Sequence, residues 1–186
     1  MAQQKLLLDT NAYLRLARSI HPLLFVEFGE DRTCLYLAED FEREFARSRR
    51  LRSKFPWVDE SEYRDSRQIR LQIGRKEKRA IRTAIDFVGD QADADALGVS
   101  AVDVSVLGHA YVLDIGVVTD DTDMRALGST FGSEITSTLS LLKLMLDAGH
   151  IDYARVRQIA AYWRHERDLP AKFGRDYRRL FGEPPP

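Results

Sequence analysis

The sequence predicts an α/β protein: a parallel sheet flanked by helices on both faces, with a helical extension at its C-terminal end. Two observations predict the sheet. Short apolar runs are separated by longer segments of helical periodicity, the alternation that builds parallel sheets. Those runs are apolar at consecutive positions, as strands buried on both faces are. A third observation predicts the extension: beyond residue 136 the pattern is helical only.

The elements follow in order. Lys5 to Leu8 is a short apolar run ended by Asp9, and it reads as a buried strand. Asp9 or Thr10 can cap the next helix, which holds Ala12, Leu14, Leu16 and Ala17. Pro22 and Gly29 punctuate the chain before Thr33–Leu37, a β-branched and apolar second strand. Glu39–Lys54 reads as a helix with Phe41, Phe45 and Leu51 inward, stopped by Pro56. Ser61–Val88 has helical spacing at Ile69, Ile73, Ile81, Ile85 and Val88, with Gly74 a weak point. Ala101–Leu113 is a helix and Ile115–Thr119 a strand. Asp120 and Asp121 close that strand and open another helix. Glu134–Thr136 is one more short strand. Helices over Leu139–Asp147, Tyr153–His165 and Ala171–Leu180 complete the chain, and Pro184 to Pro186 is expected to be disordered.

The 186 residues suit one decorated domain rather than two. A hydrophobic fraction of 44% and a charged fraction of 31% exclude a disordered chain. No apolar run approaches the roughly 20 residues of a membrane helix, and MAQQKLLLDTNAYL does not read as a signal peptide. Cys34 is the single cysteine, which fits a reducing cytoplasm; the expected role is a small core residue. The net charge of -1 conceals a segregation: Arg43–Arg82 holds 14 Lys or Arg against 6 Asp or Glu, and Thr83–His150 holds 2 against 11. One segment suits a polyanion and the other suits cations. The plain alternative is that long helices carry solvated charge.

Ligands of open α/β sheets sit outside the carboxyl ends of the strands, where Asp9 and the pair Asp120 and Asp121 are expected. Unscreened carboxylates about 4 Å apart repel by roughly 4 kcal/mol per pair at an effective dielectric near 20. A divalent cation removes that cost. An all-oxygen donor set without clustered His or Cys selects Mg2+ or Mn2+ over zinc. His21, His109, His150 and His165 are scattered and sit beside no plausible nucleophile. Each aspartate also has a plain reading, as a helix cap or first-turn residue.

Leu7-Leu8-Asp9-Thr10-Asn11-Ala12-Tyr13 resembles the opening strand-to-helix turn of PIN-domain nucleases. Ala101-Val102-Asp103-Val104-Ser105-Val106 resembles that family's central helix, and Val117-Val118-Thr119-Asp120-Asp121-Thr122-Asp123-Met124 its last motif. The motifs come in the family's order, and VapC-like toxins are the closest group. The resemblance implies a PIN-like nuclease domain over residues 1–136, with a basic helical insertion at about 43–90, and a helical extension over 137–183. It implies an endoribonuclease dependent on Mg2+ or Mn2+, with Asp9, Asp103 and Asp121 as metal ligands, Asn11 and Asp123 in support, and Asp120 mainly structural. A helical glutamate followed by a bulky apolar residue completes the set. Glu44, before Phe45, fits best, and Glu39, Asp40 and Glu42 compete with it. Arg47, Arg49, Arg50, Arg52, Arg75, Lys76 and Arg79 are expected to hold RNA. The resemblance also implies an antitoxin protein, expected on the first two helices near Tyr13, Leu16, Phe41 and Phe45, and a homodimer as a further partner. The rival readings are a PIN-like module that binds RNA or protein without catalysis, and a housekeeping RNA-processing or DNA-cleaving nuclease.

Overall fold

Successive side chains of a strand point to opposite faces, so the run Leu6-Leu7-Leu8 needs apolar cover on both sides. The computed structural model describes residues 3–186; Met1 and Ala2, which open the expected 1–136 unit, lie outside the described residues. Four strands, β1 (Lys5–Leu8), β2 (Cys34–Leu37), β3 (Gly116–Val118) and β4 (Ile135–Thr136), form one sheet in the order β2-β1-β3-β4. All three pairings are parallel, with Leu8 level with Leu37 and Val118. Gly116 lies beside Leu6 because a Cβ there would sit 2.5 Å from Leu6 Cδ2.

The helices are α1 (Thr10–Leu16), α2 (Asp40–Arg47), α3 (Arg49–Lys54), α4 (Ser61–Ser66), α5 (Arg75–Ala94), α6 (Ala101–Leu113), α7 (Thr122–Thr130), α8 (Thr138–Asp147), α9 (Tyr153–His165) and α10 (Phe173–Phe181). A turn of 3-10 helix over Pro56–Asp59 links α3 to α4. Leu6, Leu8, Leu35 and Val118 face one core, shared with α1, α2 and α8 to α10. Leu7, Cys34, Tyr36 and Val117 face the other, shared with α5, α6 and α7. Each fully buried side chain of this kind stabilises the fold by about 1.5–3 kcal/mol. Leu139, Met145, Ile159, Trp163 and Tyr177 of the C-terminal helices belong to the same core as Leu6 and Leu8.

The expected helix over Glu39–Lys54 is two helices. Ser48 adopts extended angles, and its hydroxyl caps α3 by accepting from Leu51 N at 3.2 Å. The expected helix over Ser61–Val88 is also divided. Arg67 is drawn inward by Glu42, the Tyr13 hydroxyl and the Val58 carbonyl, and the chain resumes helix only at Arg75. Gly74 stands at that restart, its N–H donating to Glu77 Oε2. Pro184 to Pro186 carries no helix or strand. Among the described residues no helix is long and apolar enough to cross a membrane.

From β1 the chain moves to β2 on one side, then resumes at β3 on the other. The strand order therefore reverses between the carboxyl ends of β1 and β3, the position where open α/β sheets leave a crevice.

Candidate functional site

Asp9 stands at that reversal point. It follows β1 directly, and its backbone N–H continues the ladder to Val118 O at 3.1 Å. Its carboxylate caps α1 by accepting from Ala12 N and also accepts from the Thr119 hydroxyl, both at 2.5 Å. Only 2% of Asp9 is exposed. Burial, with smaller contributions from the charges of Asp103 and Asp120, pushes its carboxyl up to about 7 against the two hydrogen bonds. Asp9 is thus a helix cap and a buried acid with acidic neighbours at once.

Asp103 comes from α6, on the opposite face of the sheet. Its Oδ2 accepts from Ser100 N at 2.9 Å while Ser100 Oγ accepts from Asp103 N at 3.2 Å, a reciprocal cap that fixes the first turn. The carboxylate stays partly exposed and close enough for its charge to act on Asp9.

The four acids around α2 separate by direction, because a helix turns about 100° per residue. Glu39 pairs with Arg70 at 3.0 Å. Asp40 accepts from Ser105 of α6 and pairs with Arg43. Glu42 pairs with Arg67 at 2.8 Å, away from the crevice. Glu44 accepts from the hydroxyl of Thr10, the residue after Asp9. Of the four, Glu44 is the one tied to the β1 turn.

Asp120 and Asp121 have different surroundings. Asp120 accepts from Arg15 Nη1 at 2.5 Å, Thr138 N at 3.0 Å and the Thr138 hydroxyl. Arg15, itself buried, also meets Asp168, and its carbonyl accepts from Trp163 Nε1 at 2.9 Å. Asp121 is exposed. Its Oδ1 caps α7 through Met124 N at 2.8 Å, and its N–H donates to the Thr119 hydroxyl at 3.1 Å. Thr119 therefore connects the two turns through one oxygen. Asp123 accepts from Gly98 N at 2.8 Å and braces the loop before α6 rather than joining the crevice. Asn11 is exposed in the first turn of α1.

Among the residues expected to hold RNA, Arg47 shares a groove with Glu44. That groove, of about 610 Å3, is also lined by Arg43, Ser100 and Ser105. Arg49, Arg50 and Arg52 are exposed on α3; Arg75, Lys76 and Arg79 are exposed on the first turns of α5. Cations there oppose the positive end of the helix dipole, an arrangement that an anion would relieve. Tyr13, Leu16, Phe41 and Phe45 are buried in the core, so the surface expected to receive an antitoxin there is not a surface.

Among the described residues no three His, Cys, Asp or Glu side chains converge as a ready-made metal cage. The donor chemistry nevertheless fits a hydrated Mg2+ or Mn2+, since Mg2+ keeps several waters and needs only one or two carboxylates. Each Asp9 oxygen holds one hydrogen bond and retains a lone pair, and a cation beside it would offset the burial and repulsion that raise its pKa. Thr10, Arg15, Thr119 and Thr138 shape the site without having been expected to. The two threonines beside Asp9 and Asp120 carry a weak signal, a hydroxyl residue next to a strand-end aspartate. Arg15 carries none, because its partners lie 105 and 153 residues away.

Comparison with protein-family models, with curated proteins and with solved structures returned no match to the chain.

Proposed function

We propose that the chain is a PIN-like endoribonuclease dependent on Mg2+ or Mn2+, acting in the cytoplasm as the toxin of a toxin–antitoxin pair. One observation carries the reading: a buried aspartate, Asp9, stands at the reversal point of a parallel sheet under the charge of Asp103 and Asp120. The reaction is hydrolysis of a phosphodiester. Water adds its oxygen to phosphorus, the bond to the 3′-oxygen breaks, a proton given up by the water ends on that oxygen, and the products carry 5′-phosphate and 3′-hydroxyl ends. Asp9, Asp103 and Asp121 are the residues assigned to hold the cation, whose chemistry when bound is Lewis acidity toward water and phosphoryl oxygens. Glu44, fixed by Thr10, accepts a hydrogen bond from the attacking water. Arg43 and Arg47 in the adjoining groove hold the backbone phosphates. An antitoxin restrains the enzyme by presenting an Arg fork to these carboxylates.

A second reading, an RNA-binding module without catalysis, needs only the exposed cations of α3 and α5. Purified chain with total RNA, and separately with DNA, in Mn2+ and in EDTA, separates the two. The proposal expects RNA cleavage in Mn2+ alone with 5′-phosphate ends. RNA left intact in Mn2+ rejects it, and cleavage confined to DNA moves the substrate class. Growth arrest on expression, absent in Asp9→Asn, tests the toxin role.

A further inference from the structure

The C-terminal helices build a second groove, of about 620 Å3, beside Asp120. Asp120 and Thr122 form its inner edge, the start of α8 forms one wall, and the chain from Pro170 into α10 forms the other. Four cations line it: Arg125, Lys172, Arg175 and Arg179. Only two acids oppose them. Asp120 is already neutralised by Arg15 at 2.5 Å. Asp176 is shared between Arg175 at 2.9 Å and Arg179 at 3.7 Å, so its single charge cannot neutralise both. Lys172 forms no ion pair among the described residues. It stands at a φ of 60°, a left-handed conformation that costs a lysine about 1 kcal/mol or more.

The charge is also unexpected for its place in the chain. The segment that supplies the inner edge belongs to the acidic stretch Thr83–His150, with 2 Lys or Arg against 11 Asp or Glu. The extension therefore supplies three of the four cations to a rim that is otherwise acidic. Glu44 and Ser100 line the Arg43 and Arg47 groove, and Asp120, whose charge acts on Asp9, lines this one. In the first groove Arg43 and Arg47 are matched by Asp40 and Glu44, so the excess of positive charge lies in the second.

We infer that the groove between α8 and α10 binds the phosphate backbone of single-stranded RNA and leads the strand toward Asp120 and the carboxylates beside it. The inference rests on the nuclease reading for RNA as the polyanion. It assigns the C-terminal extension to substrate binding. A single strand fits because helices wall the groove on both sides.

The test uses the full chain in EDTA with a fluorescein-labelled 20-nucleotide single-stranded RNA. Lys172→Ala, Arg175→Ala and Arg179→Ala are combined in one variant. Arg155→Ala, Arg164→Ala and Arg178→Ala, exposed on the same extension but outside the groove, form a control of equal charge. Each phosphate contact on a single strand contributes roughly 0.7 to the log–log salt slope. The groove variant should bind at least tenfold more weakly and lose about 2 from that slope, with the control within twofold of the wild type. Lys172→Glu alone, which disturbs no ion pair, should weaken binding at least threefold and guards against misfolding of the triple variant. Equal weakening in groove and control variants, unchanged binding in the groove variant, or no RNA binding by the wild type overturns the inference. Cleavage in Mn2+ is scored separately. Selective loss of binding without wild-type cleavage keeps the groove and rejects the nuclease; wild-type cleavage with unchanged binding in the groove variant does the reverse.

Discussion

The Thr119 hydroxyl donates to Asp9 Oδ2 at 2.5 Å, and both residues are closed to water. The same oxygen accepts from Asp121 N at 3.1 Å, so one hydroxyl sets the relation between the β1 and β3 turns. Thr119→Val keeps the volume and removes the hydroxyl. Asp9 then loses a hydrogen bond that lowers its pKa, so the acid limb of the cleavage profile should move to higher pH. The fold should lose about 1–3 kcal/mol from unpaired buried groups. Thr119→Ser should restore both. An unshifted pH profile in the folded Val variant would show that the hydroxyl does not tune Asp9.

Asp9 makes the metal-free chain less stable as pH rises. Its carboxyl titrates near 3.8 in an ordinary setting and near 7 in the fold. Between those values the folded chain keeps a proton that the unfolded chain has lost, so stability falls with rising pH. The contribution is intact below about 4 and fully lost above about 7, a difference of about 4 kcal/mol. In EDTA, the thermal midpoint should drop from pH 5 to pH 8 in the wild type and much less in Asp9→Asn. Added Mn2+ at pH 8 should raise the wild-type midpoint only, because a ligand bound to the folded state stabilises it. Equal pH slopes in the two proteins count against a buried, strained Asp9.

Glu44 and Glu42 should separate by type of damage. Glu44→Gln keeps the Thr10 contact but removes the charge, and cleavage should fall at least 100-fold with the melting temperature unchanged. Glu42→Gln weakens the partner of Arg67, whose side chain is only 2% exposed. Because Glu42 itself is 45% exposed, solvent screening limits the loss to about 1–2 kcal/mol, with cleavage within threefold of the wild type. Thermal melts and steady-state kinetics on both variants decide, and the reverse pattern assigns the site to Glu42.

The adjacent aspartates should differ likewise. Asp120→Asn leaves Arg15 buried without its closest carboxylate and should destabilise the fold by about 2–4 kcal/mol. Asp121→Asn retains a good cap residue for α7, so stability should hold while Mn2+-dependent cleavage falls at least 100-fold. A destabilised but active Asp121→Asn returns that residue to a capping role alone.

Arg49, Arg50 and Arg52 are exposed on α3. Replacing all three with Gln should reduce the salt slope of RNA binding by about 2, at roughly 0.7 per lost contact. The measurement is the affinity for one RNA across a salt series. An unchanged slope assigns the segment to solvated surface.

The sequence by itself determined the sheet and its two-sided burial. Period-2 strand geometry and consecutive leucines leave Leu6-Leu7-Leu8 no exposed face, and an apolar run ended by Asp9 places that acid at a strand end. Those features depend on neighbours along the chain. The tertiary structure decided what depends on residues far apart. Local spacing favours Glu44 over Glu39, Asp40 and Glu42 only through the Phe45 that follows it, and the partners Arg70, Ser105, Arg67 and Thr10 separate the four outright. Arg67 also divides the expected long helix, because satisfying a buried guanidinium from Glu42, Tyr13 and Val58 outweighs helix periodicity. Tyr13 and Phe41 pass from expected docking surface to core because they pack on each other and are covered by Trp57, Phe45 and the Arg67 guanidinium. Arg15 joins Asp120 to Asp168 across more than a hundred residues of chain, a relation that no local pattern encodes because only the folded chain brings those charges within reach of one another.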